Sequence, residues 1–300
     1  MNGGSMQRLK LYSAFFVLAV ALLLGGVRGV AAANLNLQSM VNNSLTGEVV
    51  IPPGQWVVGN VTAGNPMDIH GTSPDLCQLW GNITFNQGGS SLRNVYLNGS
   101  GPGSGTGVTF NNATSVILSN VLIQNFDIDA QVNAGGGWSI LASRFYTPDD
   151  FGLVIKNVNN PDQGDWFIGE GCTFYGGPST IAGIYFLSSG GGKIMGNKFL
   201  LGQWAILGSV QGVTSDMIIG FNSMEAQTVN FVHFVLNGGT FRNVQYIGNQ
   251  TTTPNPIPGG GGAHFDNIPA VIAIGNLNTN PRGGTTVTST DRVIANELLN

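Results

Sequence analysis

Charge is scarce in this chain. Only 9% of its 300 residues are Asp, Glu, Lys or Arg, against roughly a quarter in an average soluble domain. With four Lys and a net charge of −4, there is no basic stripe to neutralise a phosphate backbone, which argues against nucleic acid as a partner. Cysteine is nearly absent. Cys77 and Cys172 are too few for a disulfide framework and lie about four repeats apart, so both are expected as buried free thiols. The three histidines, His70, His233 and His264, are scattered, so no metal-ligating cluster is legible. Helix-favouring windows are missing too, because Gly, Asn, Thr and Val interrupt nearly every stretch.

What is abundant is turn chemistry and apolar side chains. The chain holds 46 Gly and 32 Asn, the residues that tolerate left-handed backbone, so it must turn often. Its 42% hydrophobic content excludes disorder, since disordered chains lack the apolar surface that offsets ordering entropy.

These features recur with a period. Asp68, Asn94, Asn120, Ser143, Gly171, Asn197, Asn222, Asn249 and Asn276 follow one another at intervals of 23 to 28 residues, the signature of one structural unit repeated with small insertions. Two positions before many of them stands an aliphatic residue, as at Leu92, Leu118, Leu141, Met195, Ile247 and Ile274. A polar turn position stacked on itself beside apolar strands predicts an all-β solenoid of parallel coils, about ten of roughly 26 residues each. Coils about 4.8 Å apart would make a rod on the order of 50 Å long. The Asn residues are expected to adopt the left-handed conformation and to bond neighbouring coils through their amides, a structural role rather than a binding one.

Residues 34–46 carry apolar positions at 35, 37, 40 and 41 and read as an N-terminal cap, a short amphipathic helix or turn. The stretch from Gly47 to Trp56, GEVVIPPGQW, is strand, Pro-Pro-Gly corner, strand. A capping segment, this "GxVxIPPGxW" pattern and coils of 22 to 28 residues resemble the pectate-lyase-like superfamily of right-handed parallel β-helices, including phage tailspike relatives. The resemblance implies a right-handed, single-stranded parallel β-helix over residues 47–280, with 281–300 as a C-terminal cap or frayed tail. It implies no single activity, because the fold hosts lyases, hydrolases, esterases and non-catalytic proteins. Thr251 to Ala263 reads as a loop protruding from one coil.

Ahead of the cap, Arg8 and Lys10 precede an apolar run from Leu11 to Leu24, and Ala31, Ala32 and Ala33 offer a cleavage site. Residues 1–33 therefore read as an export signal, or as an uncleaved anchor if the run from Leu11 to Val27 is retained. Either way the bulk of the protein is expected outside the cytoplasm, secreted, with the periplasm and the cell surface as alternatives, and membrane contact confined to this segment.

The departure from this uncharged pattern is a set of acids. Asp127 lies seven residues after Asn120 and Asp150 seven after Ser143, which stacks them on adjacent coils with Asp149 alongside. Two carboxyls about 5 Å apart suit the acid and nucleophile of a retaining glycosidase. The same offset reaches Trp204, an aromatic face for a sugar ring, while Arg144 and Lys198 share the position just after the turn. The alternative reading of the acids is ordinary turn chemistry.

Among relatives of the resembled family, the calcium lyases carry acidic patterns not recognisable here. Polygalacturonase-like enzymes use Asn-Thr-Asp, Asp-Asp and His-Gly, of which this chain has Asp149-Asp150 and only an early His70-Gly71. No catalytic residue is carried over, no cofactor is firmly implied, and Ca2+ enters only for a lyase.

Two functional readings follow. In the first, the rod binds polysaccharide or cell-surface glycan and cleaves it with Asp127, Asp149 and Asp150, aided by Arg144, Lys198 and Trp204. In the second, it is a non-catalytic adhesin or tailspike-like fibre, open to homotrimer formation through an apolar face.

Overall fold

The computed structural model describes residues 35–156, 166–188, 191–210, 213–238, 240–252, 262–266, 268, 271–278, 285–287 and 296–299. The segment expected to act as an export signal, residues 253–261 of the expected loop and most of the expected C-terminal tail lie outside the described residues.

Strands pair with the next coil rather than with their chain neighbours, and every pairing is parallel. Glu48–Val50 pairs with Asp68–His70, which pairs with Ser91–Arg93, and so on. Three faces result. The first runs from Glu48–Val50 to Val271–Asn278 and on to Asn296–Leu299, the second from Leu35–Asn36 through Gln250–Thr252 to the end of Val271–Asn278, and the third is a ten-stranded sheet from Val61–Ala63 to Thr285–Val287. This is the right-handed parallel β-helix.

The core is made of columns. On the second face Val57, Leu79, Leu97, Ile123, Phe145, Phe174, Phe199 and Met224 stand in register, each 2% exposed or less. Phe145 and Phe174 stack at 4.6 Å, and Phe174 and Phe199 at 4.9 Å. Burial of each such side chain contributes about 1.5–3 kcal/mol, and the regular coil spacing sets ring on ring.

At the N-terminal end the helix Leu37–Asn43 covers the first coils, burying Leu37 and Val41. Asn36 caps it, its side-chain oxygen accepting from the Ser39 amide at 2.9 Å.

The turn between the first and second faces corrects the sequence ladder. From Asn94 onward it holds an outer, left-handed residue followed by an inner, buried one. Asn94, Asn120, Ala142, Glu170, Gly196, Phe221, Gly248 and Gly275 are the left-handed residues, with φ between 48° and 68°. Ser143, Cys172, Asn197, Asn222, Asn249 and Asn276 follow at the inner position, Cys172 after one inserted residue, the ladder's Gly171, which is left-handed too with φ 83°. The ladder thus slips by one residue between Asn120 and Ser143, and Asp68 is not part of it, since it pairs with Ser91.

Only Asn94 and Asn120 meet the left-handed expectation. The later Asn side chains point inward. The Asn222 oxygen accepts from both the backbone and side-chain amides of Asn197, at 3.0 and 3.1 Å, while its own amide donates to the Ile194 carbonyl at 2.9 Å.

Both cysteines are buried and free. Cys172 occupies the inner position of its coil, its thiol donating to the Gly169 carbonyl at 3.2 Å. Burial pushes that thiol up to about 11, so it packs rather than reacts.

Candidate functional site

Asp127, Asp149 and Asp150 lie at the corner where the second face turns into the third. Ile128 pairs with Phe151, and the Asp150 amide donates to the Asp127 carbonyl at 2.9 Å, so the two acids occupy adjacent coils in register. The route to that register differs from the count. Asn120 is equivalent to Ala142, not Ser143, and this one-residue slip is cancelled by an extra residue at the corner, where Thr147-Pro148-Asp149 opposes Asn125-Phe126.

The Asp127 carboxylate turns back to the preceding coil. It accepts from the amides of Gly103 at 2.7 Å and Gly105 at 3.0 Å, fastening the loop over residues 99–105. Replacing Asp127 by Ala is expected to lower hydrogen-exchange protection of those two amides about tenfold, the scale of one lost charge-assisted hydrogen bond. Unchanged protection would refute the fastening role. Asp149 accepts weakly from the Ser179 hydroxyl at 3.4 Å, and Asp150 is exposed.

Aromatic pairs border this acidic corner on both sides. Tyr146 and Tyr175, at the ends of second-face strands, stack at 4.5 Å with planes 7° apart, and Tyr146 is 40% exposed. Phe151 and Tyr185, on third-face strands, stack at 4.7 Å and are half-buried. Trp204 stands in the register of Phe151, two coils on, rather than of Asp150 as the offset predicts. The physical cause is the varying corner length between coils.

Arg144 and Lys198 share one column of the second face with Thr173 between them, and Lys198 pairs with Glu225 at 3.5 Å. They flank the tyrosine stack, whereas Trp204 lies across the corner. The tyrosines escaped the sequence reading, although the aligned triplets Arg144-Phe145-Tyr146 and Thr173-Phe174-Tyr175 carried the signal.

An acid-over-acid stack also occurs on the first face. Glu48 pairs directly with Asp68, and like charges placed opposite each other cost stability unless compensated. Arg93 and Ser91 both donate to Asp68, and His70 meets Glu48 at 2.9 Å. Burial alone would raise Asp68, but the hydrogen bonds from Arg93 and Ser91 outweigh it and hold the carboxyl below its usual value. Ligand atoms of Glu48, Asp68 and His70 lie within 4.8 Å of one another, but Arg93 already balances Asp68. On the third face His233 meets Asp266 at 2.9 Å, with His264 edge-on at 6.0 Å. Burial, and then the neighbouring His233, hold His264 below the usual imidazole value.

No family model matches the sequence, and no curated protein does. Among solved structures the chain is similar to full-length tailspike protein 2 from an Escherichia coli O157:H7 bacteriophage, with a TM-score of 0.56 at 13% identity over 90% of this chain and 41% of that one. The enzymatically active domain of tailspike protein 2 from bacteriophage CBA120 gives 0.57 at 13% identity, over 90% of this chain and 46% of that one. The catalytic domain of a GH87 alpha-1,3-glucanase in complex with tetrasaccharides gives 0.44 at 14% identity, over 90% and 67%, too distant to carry an argument. The chain spans less than half the length of the tailspike chains it matches. At these identities the likeness establishes the β-helix fold and nothing finer.

Proposed function

We propose that this chain is an exported, pectate-lyase-like β-helix protein that binds polysaccharide or cell-surface glycan along its acidic corner and cleaves it with Asp149 and Asp150. The observation that carries the reading is the pair of aromatic stacks, Tyr146 with Tyr175 and Phe151 with Tyr185, on either side of accessible carboxyls. Aromatic faces bind the apolar faces of sugar rings, and paired carboxyls supply the acid and the base or nucleophile of glycoside hydrolysis. Arg144 and Lys198 on the second face and Trp204 on the third would contact the glycan from the two sides of the corner. Asp127, engaged by two amides, shapes the corner instead of moving protons. A lyase route would add Ca2+ as charge stabiliser; hydrolysis needs the two carboxyls alone.

A panel of acidic and neutral polysaccharides, assayed for reducing ends and unsaturated products, tests this. Tyr146→Ala and Tyr175→Ala are each expected to weaken glycan binding about tenfold, as loss of an anchoring aromatic does. Asp150→Asn is expected to abolish product formation while retaining binding. Undiminished activity in that variant would remove Asp150 from the chemistry. Binding without cleavage by the wild type would favour the fibre reading.

A further inference from the structure

Directly behind the acidic corner sits a carboxyl that the glycan chemistry does not use. Asp129, two residues past Asp127, is 0% exposed and the only wholly buried carboxyl among the described residues. Neither of its oxygens has a hydrogen-bond partner. The Tyr146 amide faces it without completing a hydrogen bond, and no charged group acts on it.

Its column reads Gly107, Asp129, Gly152, Gly183, Ala205 and Phe231 from coil to coil. The adjacent glycines are required. A Cβ on Gly107 would stand 2.8 Å from the Phe126 ring, and one on Gly152 would stand 3.0 Å from the Phe174 ring. The carboxyl is therefore enclosed by backbone and phenyl rings. The other acids of the corner stay outside, Asp127 half-buried and Asp150 exposed.

We propose that Asp129 is a proton-gated latch on the acidic corner: uncharged, it fits the closed interior, and ionised, it drives the corner open, releasing the Asp127 fastening and the Tyr146 platform. The effect on glycan binding rests on the function proposed above; the latch itself does not. Burial pushes Asp129 well above the usual carboxyl value, partly offset by the Tyr146 amide. In an open corner the group would ionise near its ordinary value of about 3.9. The closed state thus holds the extra proton, and closure is favoured in acid. It weakens as pH rises from about 4 towards the raised value of the closed form, by at most about tenfold per pH unit for one proton.

Hydrogen exchange between pH 5 and 8, corrected for intrinsic base catalysis, tests the latch in wild type and Asp129→Asn. In the wild type, protection of the Gly103, Gly105, Tyr146, Asp150 and Phe151 amides should fall by up to about tenfold per pH unit. In the variant it should stay level. Parallel profiles would overturn the proposal.

Should the variant fold poorly, carboxyl carbon resonances of the wild type decide. Asp129 should keep its proton at a pH where exposed carboxyls have lost theirs, and titration together with them would overturn it equally. Opening that follows pH in a protein that binds no glycan supports the latch and removes only the glycan reading.

Discussion

Asn222→Ala is expected to cost about 2–4 kcal/mol of unfolding free energy, a large share of the stability of any domain. Asn222 is 1% exposed, and its side chain joins three coils. Its oxygen satisfies the Asn197 backbone amide at 3.0 Å, and its amide donates to the Ile194 carbonyl at 2.9 Å and to the Asn249 side chain at 3.0 Å. Truncation leaves the Asn197 backbone amide buried without a partner, at about 1–3 kcal/mol, and removes the bonds to the Ile194 carbonyl and the Asn249 side chain, at about 0.5–1.5 kcal/mol each.

Asn120→Gly provides the contrast. Asn120 sits at the outer position with φ 49°, where Gly is at ease, and loses one bond to Asn94. Its expected cost is below about 1 kcal/mol. Urea midpoints for the two variants check both. Equal costs would show that inner and outer Asn do not play different roles. Because a solenoid transmits strain only between neighbouring repeats, loss at Asn222 should also raise exchange first in the coils holding Ile194 and Asn249.

Phe174→Ala is expected to cost about 3–5 kcal/mol, the range for a large ring removed from a packed core. Phe174 is 2% exposed and lies between Phe145 and Phe199, so its loss leaves a gap in the middle of a continuous stack. Interiors packed to crystal density collapse little around such gaps. Phe174→Leu keeps most of the volume and should recover more than half of the loss, the remainder being the ring-on-ring contribution of about 0.5–1.5 kcal/mol per pair. A midpoint for the Ala variant within about 1 kcal/mol of wild type would mean that the column tolerates a cavity.

Much of the fold was legible because solenoid physics is local. Each coil must turn, and Asn and Gly at the turns with aliphatic residues just before them declare it. Buried thiols at Cys77 and Cys172 followed from the same logic. The wrong detail was the identity of the turn position. Asn120 and Asn197 look alike in sequence, but one is held in a left-handed outer conformation and the other buries its amide inside the rod. A residue type that serves both purposes carries no mark of which it serves.

The candidate site was legible only in part. The acids at 127, 149 and 150 stood out against an uncharged background, and their shared corner is as the spacing suggests. What each acid does was not readable: Asp127 fastens two glycine amides, Asp150 stays exposed, and Asp129, which reads in sequence as part of a tight turn with Asp127, is the one taken inside, on a strand. Strand alternation gave no warning, because Asp129 and Ala130 are both buried at the start of their strand. Tyr146 and Tyr175 meet because the register of Arg144–Tyr146 with Thr173–Tyr175 sets them opposite each other across coils.

By itself the sequence determined the class of fold, the repeat, the polar turn and the scarcity of charge, since these depend on residue type and on separations within one coil. The tertiary structure decided which residues face each other across coils. That depends on every inserted residue in every turn, and here a slip at the first turn and an insertion at the corner cancel, so Asp127 meets Asp150 while Trp204 falls one position away.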